Sequence, residues 1–517
     1  MANSSGSGAQ RYAHAKARPP RRTGKRVGLV LAVVVALVVV GVGGFALYGQ
    51  YLLNQVHRVT VGSEAKQIAG QPLNVLLIGN NTRAGLSPKE AAQFGTAAQV
   101  GGGRADVSMI AHFDPTTKSV TLVSIPRDLF IPIPGTQTLQ RVDAELNPAK
   151  GSKTEDPNRL VKTIEDDLGI PIQHYVELNF DSFQGVVNAL GGVKMYFPAY
   201  LHDAYSGLNI TQTGCQLLNG AQALQVVRAR HLQYRFPGGS WQYDGLGDLS
   251  RTRRDHIFLK VLASQVKAAG IGNPVRDVSL LKSVLNFATI DSGFSESEML
   301  SLLLTYRHTS VATAPTGTLP IAFENGYYYK GANYGSVVFP QEPADLQMMQ
   351  SLLGYKTPLL PPSSVSVTVV NGSHSYGVQG GVASKLQALG FKANAGGIST
   401  PGGNPSETVI YYTPGHIAQA EVLKASLSGS VMMGQVSNLS VSTPLELVVG
   451  DQLGVAQKVT PAPTTTQAST STTKAPKSNS HSSSANKTTT SVSLPNVTGA
   501  TQVNVVQNPE PWDPRGC

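Results

Sequence analysis

Apolar and polar positions along the chain divide it into segments of different period. Residues 27–48, VGLVLAVVVALVVVGVGGFALY, form an unbroken apolar run. At about 1.5 Å per residue it would reach roughly 33 Å as a helix, enough to cross a bilayer core. From Asn74 the run NVLLIG predicts a strand, and a Gly- and Ala-rich loop follows it up to Arg104. VSMIAHF (107–113), DPTTK (114–118) and SVTLVSI (119–125) predict a hairpin, because Asp-Pro opens a turn between two β-rich runs. A helix should then start with Asp156 as cap and Pro157 in its first turn. Its apolar face is Leu160, Val161, Ile164 and Leu168, and Gly169 ends it.

HYVELNF (174–180) returns to strand, a short helix capped by Asp181 runs to Gly191-Gly192, and 193–197 is again strand. Residues 219–227 and 250–268 predict helices, the second with Ser250 as cap and Ile257, Phe258, Val261 and Leu262 toward a core. Pro358, Pro361 and Pro362 mark a break, after which runs at 365–370, 408–412 and 445–449 alternate with helical segments. The expected division is a tail at 1–26, a membrane helix at 27–48 and a stalk at 49–70. A mixed α/β domain at 71–355 and a small α/β domain at 363–457 follow, and a Ser/Thr/Pro-rich tail at 458–517 has too little to bury to fold.

Charge changes the picture only once it is located. The formal net charge is +10, but Arg11, Lys16, Arg18, Arg21, Arg22, Lys25 and Arg26 precede the apolar run without an acidic residue among them. By the positive-inside rule this tail is cytoplasmic and everything after residue 49 lies outside the cell membrane, crossed once. Chromosomal DNA is not available there, and aromatic residues are sparse along the Arg-rich segments, so nucleic acid is excluded as a partner. Two cysteines, Cys215 and Cys517, are too few for a disulfide scaffold or a four-thiolate zinc site and leave free thiols or one long-range pair.

No HExxH, GxSxG, Walker A or CxxC motif occurs. Arginine beside aspartate recurs instead: Arg104-Ala105-Asp106, Pro126-Arg127-Asp128, Arg228-Ala229-Arg230-His231, and Gly247-Asp248 followed by Arg251 and Arg254. Arg251 and Arg254 are three apart on one predicted helix and should converge, in a first turn whose free N–H groups also favour an anion. Several planar, permanently charged guanidinium groups in one domain suit a pyrophosphate, and Asp106, Asp128 and Asp248 offer hard oxygens for Mg²⁺ or partners for the arginines. His112 and His256 are expected to be packed, and His231 is the histidine placed to matter.

These motifs, with NVLLIGNNTR, GGGRADVSMI, SIPRD, HYVELNFDSF, the LNGAQAL to VRARH segment and GDLSRTRRD, resemble in order and spacing the LytR-CpsA-Psr family of cell-wall glycopolymer transferases over about residues 71–355. The segment 363–457 resembles the LytR C-terminal domain of actinobacterial members. The resemblance implies an α/β/α sandwich around a mixed central sheet, with a hydrophobic groove for a polyprenyl chain and a pyrophosphate held at its mouth. It also implies a phosphotransferase that moves a glycopolymer from polyprenyl pyrophosphate to peptidoglycan, with Mg²⁺, or Mn²⁺, as cofactor. Carried over by motif, Arg83, Arg104, Arg127, Arg228, Arg230, Arg251 and Arg254 would bind the pyrophosphate, and Asp106 and Asn81 the metal. Arg127, Asp128 and Asp248 would be catalytic. Asn81 stands where the family usually has a metal-binding carboxylate, Ala105 replaces a serine, and Asp255 replaces a glutamine and adds negative charge. These departures also allow a membrane-anchored binder of polyprenyl-linked glycans with little or no activity.

Overall fold

The computed structural model describes residues 57–62, 64–83, 103–148, 155–268, 281–282, 284–310, 313–398, 407–455 and 509–517. The apolar run 27–48 lies outside them. Among the described residues no helix is long and apolar enough to cross a membrane.

A mixed seven-stranded sheet carries the larger part of the fold. Its strands lie in the order His57–Val59, Thr289–Asp291, His174–Leu178, Leu73–Asn80, Ala105–Asp114, Ser119–Ile125 and Thr316–Thr318. The predicted hairpin is present and antiparallel, with Ser108 opposite Ile125 and Asp114 opposite Ser119. Leu73–Asn80 pairs antiparallel with its first strand and parallel with His174–Leu178, so Asn80 and Ala105 lie side by side at one end of the sheet. Residues 57–70 are not merely a stalk: His57–Val59 forms a parallel edge strand on Thr289–Asp291, and Arg58 donates to the Asp291 and Phe294 carbonyls.

Of four helices, α1 (Pro157–Leu168), α2 (Phe180–Ala189), α3 (Gly220–Arg228) and α4 (Asp248–Ala268), the last three line the site. In α1 the Asp156 carboxylate accepts from Arg159 N and Gly169 closes the helix in the left-handed conformation, as the sequence predicts. α2 starts two residues earlier than expected. Asn179 caps it, accepting from Ser182 N, and Asp181 becomes a first-turn residue. α4 also begins before its expected cap. Ser250 lies inside the helix and gives its hydroxyl to Asp244.

A smaller four-stranded sheet, ordered Leu208–Ile210, Tyr200–Asp203, Gln233–Arg235 and Gln242–Tyr243, packs its inner residues Leu201, Ile210 and Tyr234 into a core with Phe258 and Val261 of α4. The C-terminal unit is a mixed five-stranded sheet, ordered Lys392–Ile398, Ser366–Asn371, Leu445–Val449, Thr408–Tyr412 and Val431–Gln435. It shares a core with the larger part, since Val409, Tyr411 and Met432 cluster with Val161 and Ile164 of α1. At that junction the buried Lys424 ammonium meets Glu342 at 3.3 Å and donates to the Asp167 carbonyl.

The last described segment corrects the expectation of an unstructured tail. Residues 456–508 lie outside the described residues, but 509–517 pack against the larger domain. Arg515–Gly516 adds a strand beside Val193–Phe197, Trp512 stacks on Tyr234, and Cys517 forms a disulfide with Cys215.

Candidate active site: an arginine-ringed mouth on an apolar channel

Strand ends set the first side of the site. Pro126 ends Ser119–Ile125, and Arg127 and Asp128 follow it at the end of the sheet where Ala105–Asp114 begins and Asp106 is its second residue. Arg127 Nη1 lies 2.7 Å from Asp106 Oδ1, and its Nε lies 3.4 Å from Asp128 and 3.6 Å from Asp248. Burial works against the Arg127 charge, but these three carboxylates outweigh it and hold the group more firmly protonated than usual. Burial likewise opposes ionisation of Asp106, and Arg127, Arg251 and Arg230 override it, keeping the carboxylate below its ordinary range.

The second side comes from the ends of α3 and α4. Gly247, at φ 54°, turns the chain into Asp248 and α4. Asp248 pairs with Arg230 at 3.0 Å and with Arg251 at 3.2 Å, and Arg251 also donates to the Asp106 carbonyl. Arg230 and His231 are fixed through their backbone, because both N–H groups donate to Asp203 Oδ2, at 2.7 and 2.8 Å. Arg228 lays its guanidinium over the Phe180 ring, 4.6 Å from the centroid. Burial, together with the charges of Arg83 and Arg251 and against the pull of Asp106, lowers Arg228 to about 10. Arg230 is lowered too, by burial and then by Arg127. The arginines gathered here, Arg127, Arg228, Arg230 and Arg251, outnumber the carboxylates Asp106, Asp128 and Asp248 that pair with them, and the electrostatic complement of the excess is an anion.

Beneath this ring lies a pocket of about 590 Å³. Asp106, Arg228, Arg230 and Arg251 line its polar end and Leu77, Phe183, Leu224, Phe258 and Leu259 its interior. A second, almost wholly apolar cavity of about 500 Å³ shares Leu77, Val186, Leu259 and Leu262 with the first and runs on past Phe113, Met299 and Tyr306. The two share this apolar wall between the sheet and α4, an apolar channel in outline whose first part opens on the arginines.

The predicted residues do not all reach this mouth. Arg127, Arg228, Arg230, Arg251, Asp106, Asp128 and Asp248 are brought together, and Arg83 lies close enough to act on Arg228. Arg104 is paired to one side with Asp143, at 3.3 Å. Arg254 does not converge with Arg251. Its side chain is fully buried on another face of α4, bonded to the Ala229 carbonyl and 3.3 Å from Asp244, with Asp513 of the C-terminal segment at 3.9 Å. Residues three apart differ by about 60° around a helix, and here that angle separates pocket from core.

Asn81 Oδ1 accepts from Arg104 N while the Asn81 backbone N–H donates to the Arg104 carbonyl, so one lone pair of the predicted ligand oxygen is engaged. No group of three His, Cys, Asp or Glu side chains is placed to hold a metal among the described residues. His112 and His256 are packed, bonded to Asn74 and Ser124, whereas His231 lines the pocket. Asp255 lines it as well. Burial, against the charges of Arg251 and Arg254, raises its carboxyl to about 7, so it carries less negative charge at neutral pH than its formal charge implies.

Missed by sequence reasoning were Phe180, Asp203 and Asp244. The first two sit where strand gives way to helix or turn, and nothing in their spacing marks them.

The chain is similar in sequence to known cell-wall proteins. The probable cell wall biosynthesis protein LcpB of Corynebacterium glutamicum is 32% identical over 297 residues, 57% of this chain and 63% of its own length. TagV of Bacillus subtilis, a polyisoprenyl-teichoic acid–peptidoglycan teichoic acid transferase, is 28% identical over 262 residues, 48% of this chain and 59% of its own. Among solved structures, a LytR-Csp2A-Psr enzyme from Actinomyces oris matches with a TM-score of 0.44 and 24% identity, covering 58% of this chain and 96% of that one. Residues 364–452 match the domain described as LytR cell envelope-related transcriptional attenuator. Over residues 52–345 the sequence matches the LytR_cpsA_psr family, and the chain belongs to it.

Proposed function

We propose that the protein is a phosphotransferase that attaches a glycopolymer, carried on polyprenyl pyrophosphate, to peptidoglycan through a phosphodiester bond. The observation that carries this reading is the juxtaposition of Arg228, Arg230 and Arg251, with Arg127 bonded behind them to Asp106, and the mouth of an apolar channel. A ligand that fills both is an amphiphile with a long hydrocarbon chain and a multiply charged head. The names of LcpB and TagV support the same chemistry.

The arginines would neutralise the two phosphates, and the acceptor hydroxyl would attack the phosphorus that bears the glycan. The new P–O bond forms as the P–O–P bridge breaks, polyprenyl phosphate leaves along the channel, and the hydroxyl proton passes to Asp128 or Asp248. Such a transfer is driven by positioning and charge stabilisation, with no covalent intermediate on the protein. Asp106 has one carboxylate oxygen paired with Arg127 and is the residue that would hold Mg²⁺ or Mn²⁺ through the other, with water and substrate phosphate oxygens supplying the remaining ligands. When bound, such an ion would supply further neutralisation of the pyrophosphate. The basic tail, the run 27–48 and the need for peptidoglycan support a reaction outside a membrane crossed once by the chain. A weakly active glycan binder is the second reading, favoured by Asn81, whose oxygen is engaged by Arg104.

The test is full-length protein in detergent, with a polyprenyl pyrophosphate-linked saccharide, Mg²⁺ or Mn²⁺ and peptidoglycan, following polyprenyl phosphate release. The full chain is needed because residues 509–517 belong to the fold. Arg127→Ala should lower release by about 10²-fold or more, as loss of a charge-stabilising group does. An Arg127→Ala protein as active as wild type refutes the site, and binding without release under either metal establishes the binder.

A further inference from the structure

The outward face of the four-stranded sheet has an unusual composition. One register row crosses all four strands, with Asn209 opposite His202, His202 opposite Gln233 and Gln233 opposite Tyr243. Two residues along, Tyr200 lies opposite Arg235 on the same face. At about 4.8 Å per strand the row is roughly 14 Å wide. Trp241 borders it, with its ring near His202 and under the Arg235 guanidinium, which also lies over Tyr200. Trp241 is 48% exposed and Tyr243 56% exposed, although both carry large apolar rings.

This face is continuous with the proposed active site. Asp203, on the strand that carries Tyr200 and His202, accepts from the backbone of Tyr205 and Ser206 and from that of Arg230 and His231. One buried carboxylate therefore ties the sheet to the arginine loop. Tyr205, 74% exposed and packed against His231, lines the pocket and bridges the two surfaces.

We propose that this face, from Trp241 to Tyr205, binds the acceptor glycan, an uncharged strand of N-acetylated amino sugars. Aromatic rings offer flat apolar surfaces to the C–H faces of pyranose rings, and the exposed amides of Asn209 and Gln233 offer donors and acceptors to hydroxyl and acetamido groups. Arg235 is the single Lys or Arg in these four strands and is already stacked on two rings, so the face lacks the basic track that a nucleic acid or polyphosphate requires. The donor's hydrocarbon and phosphates are accommodated by the channel and its arginines, which leaves the acceptor to approach from the exposed rim. This assignment rests on the transferase reading.

Calorimetric titration of the full-length protein with chitotetraose, beside kinetics with a polyprenyl pyrophosphate-linked donor and solubilised glycan strands, tests it. Trp241→Ala/Tyr243→Ala should weaken chitotetraose binding and raise the acceptor KM by about tenfold or more, a loss of about 1.4 kcal/mol, while the donor KM stays unchanged. Should that variant fail to fold, Asn209→Ala/Tyr243→Ala repeats the test on exposed residues alone. An unchanged acceptor KM, or a rise in the donor KM instead, overturns the assignment, as does transfer by a wild-type protein that does not bind chitotetraose. Wild-type protein that binds the tetrasaccharide through Trp241 but never transfers would keep the glycan face and refute the transferase.

Discussion

A guanidinium shut away from water has to be met by carboxylates, and how many it meets separates a ligand-binding arginine from a structural one. Arg254 is enclosed by Asp244, Asp513 and the Ala229 carbonyl, while Arg251 keeps one edge on the pocket. Arg254→Met should therefore destabilise the fold by roughly 3–5 kcal/mol, because Asp244 and Asp513 lose a buried partner. Arg251→Lys should keep the fold and lose transfer; denaturation curves beside activity would show the split, and equal destabilisation by both would contradict it. Asp255 gives a pH prediction. Its folded pKa is raised from 3.8 to about 7, so the stability contributed by its protonated form is lost as pH rises through 7. Asp255→Asn should match wild type in melting temperature near pH 4 and exceed it by a few degrees at pH 8; a constant offset across that range would remove the carboxyl as its cause. At this scale the sequence was legible where the motif adjoins a strand end, as in Arg127-Asp128. It was not where burial direction decides, as for Arg254, since spacing alone does not say which flank of α4 faces the core.

Elements locate the site by ending where they do. The turn chemistry that ends each one was readable: Asp156 and Gly169 bound α1, and Asp-Pro divides the hairpin. Caps with several candidates were less so, and Asn179 displaced Asp181 because a cap must have non-helical backbone, which Asn179 adopts at φ −90° and ψ −176°. Asp203 had no sequence signal at all, since its four N–H donors come from two segments far apart in the chain. It is nonetheless the bond between a sheet and a loop. Asp203→Ala should cost on the order of 3 kcal/mol by leaving those donors unmet, and should lower activity in the protein that still folds by freeing Arg230. A variant with wild-type stability and rate would show that the loop is held by other means.

At the scale of the whole molecule, two distant parts of the chain complete the larger domain. The C-terminal unit docks on α1 through a shared apolar core and the Lys424 network, and residues 509–517 supply Asp513 to Arg253 and Arg254. The second contribution could not be foreseen, because low complexity over most of 458–517 obscured a short segment whose partners lie some 260 residues earlier. Reduction of Cys215–Cys517 should lower the thermal midpoint, as removal of a cross-link that closes a long loop typically costs about 2–5 kcal/mol. An unchanged midpoint in reductant, with the bond shown to be open, would mean that Trp512 and Asp513 hold the segment alone.

The same clip makes the backbone from residue 215 to residue 517 one covalent ring. A single cut of the peptide chain anywhere within that ring therefore releases no fragment: the two pieces migrate as one until the bond is reduced, and only then separate.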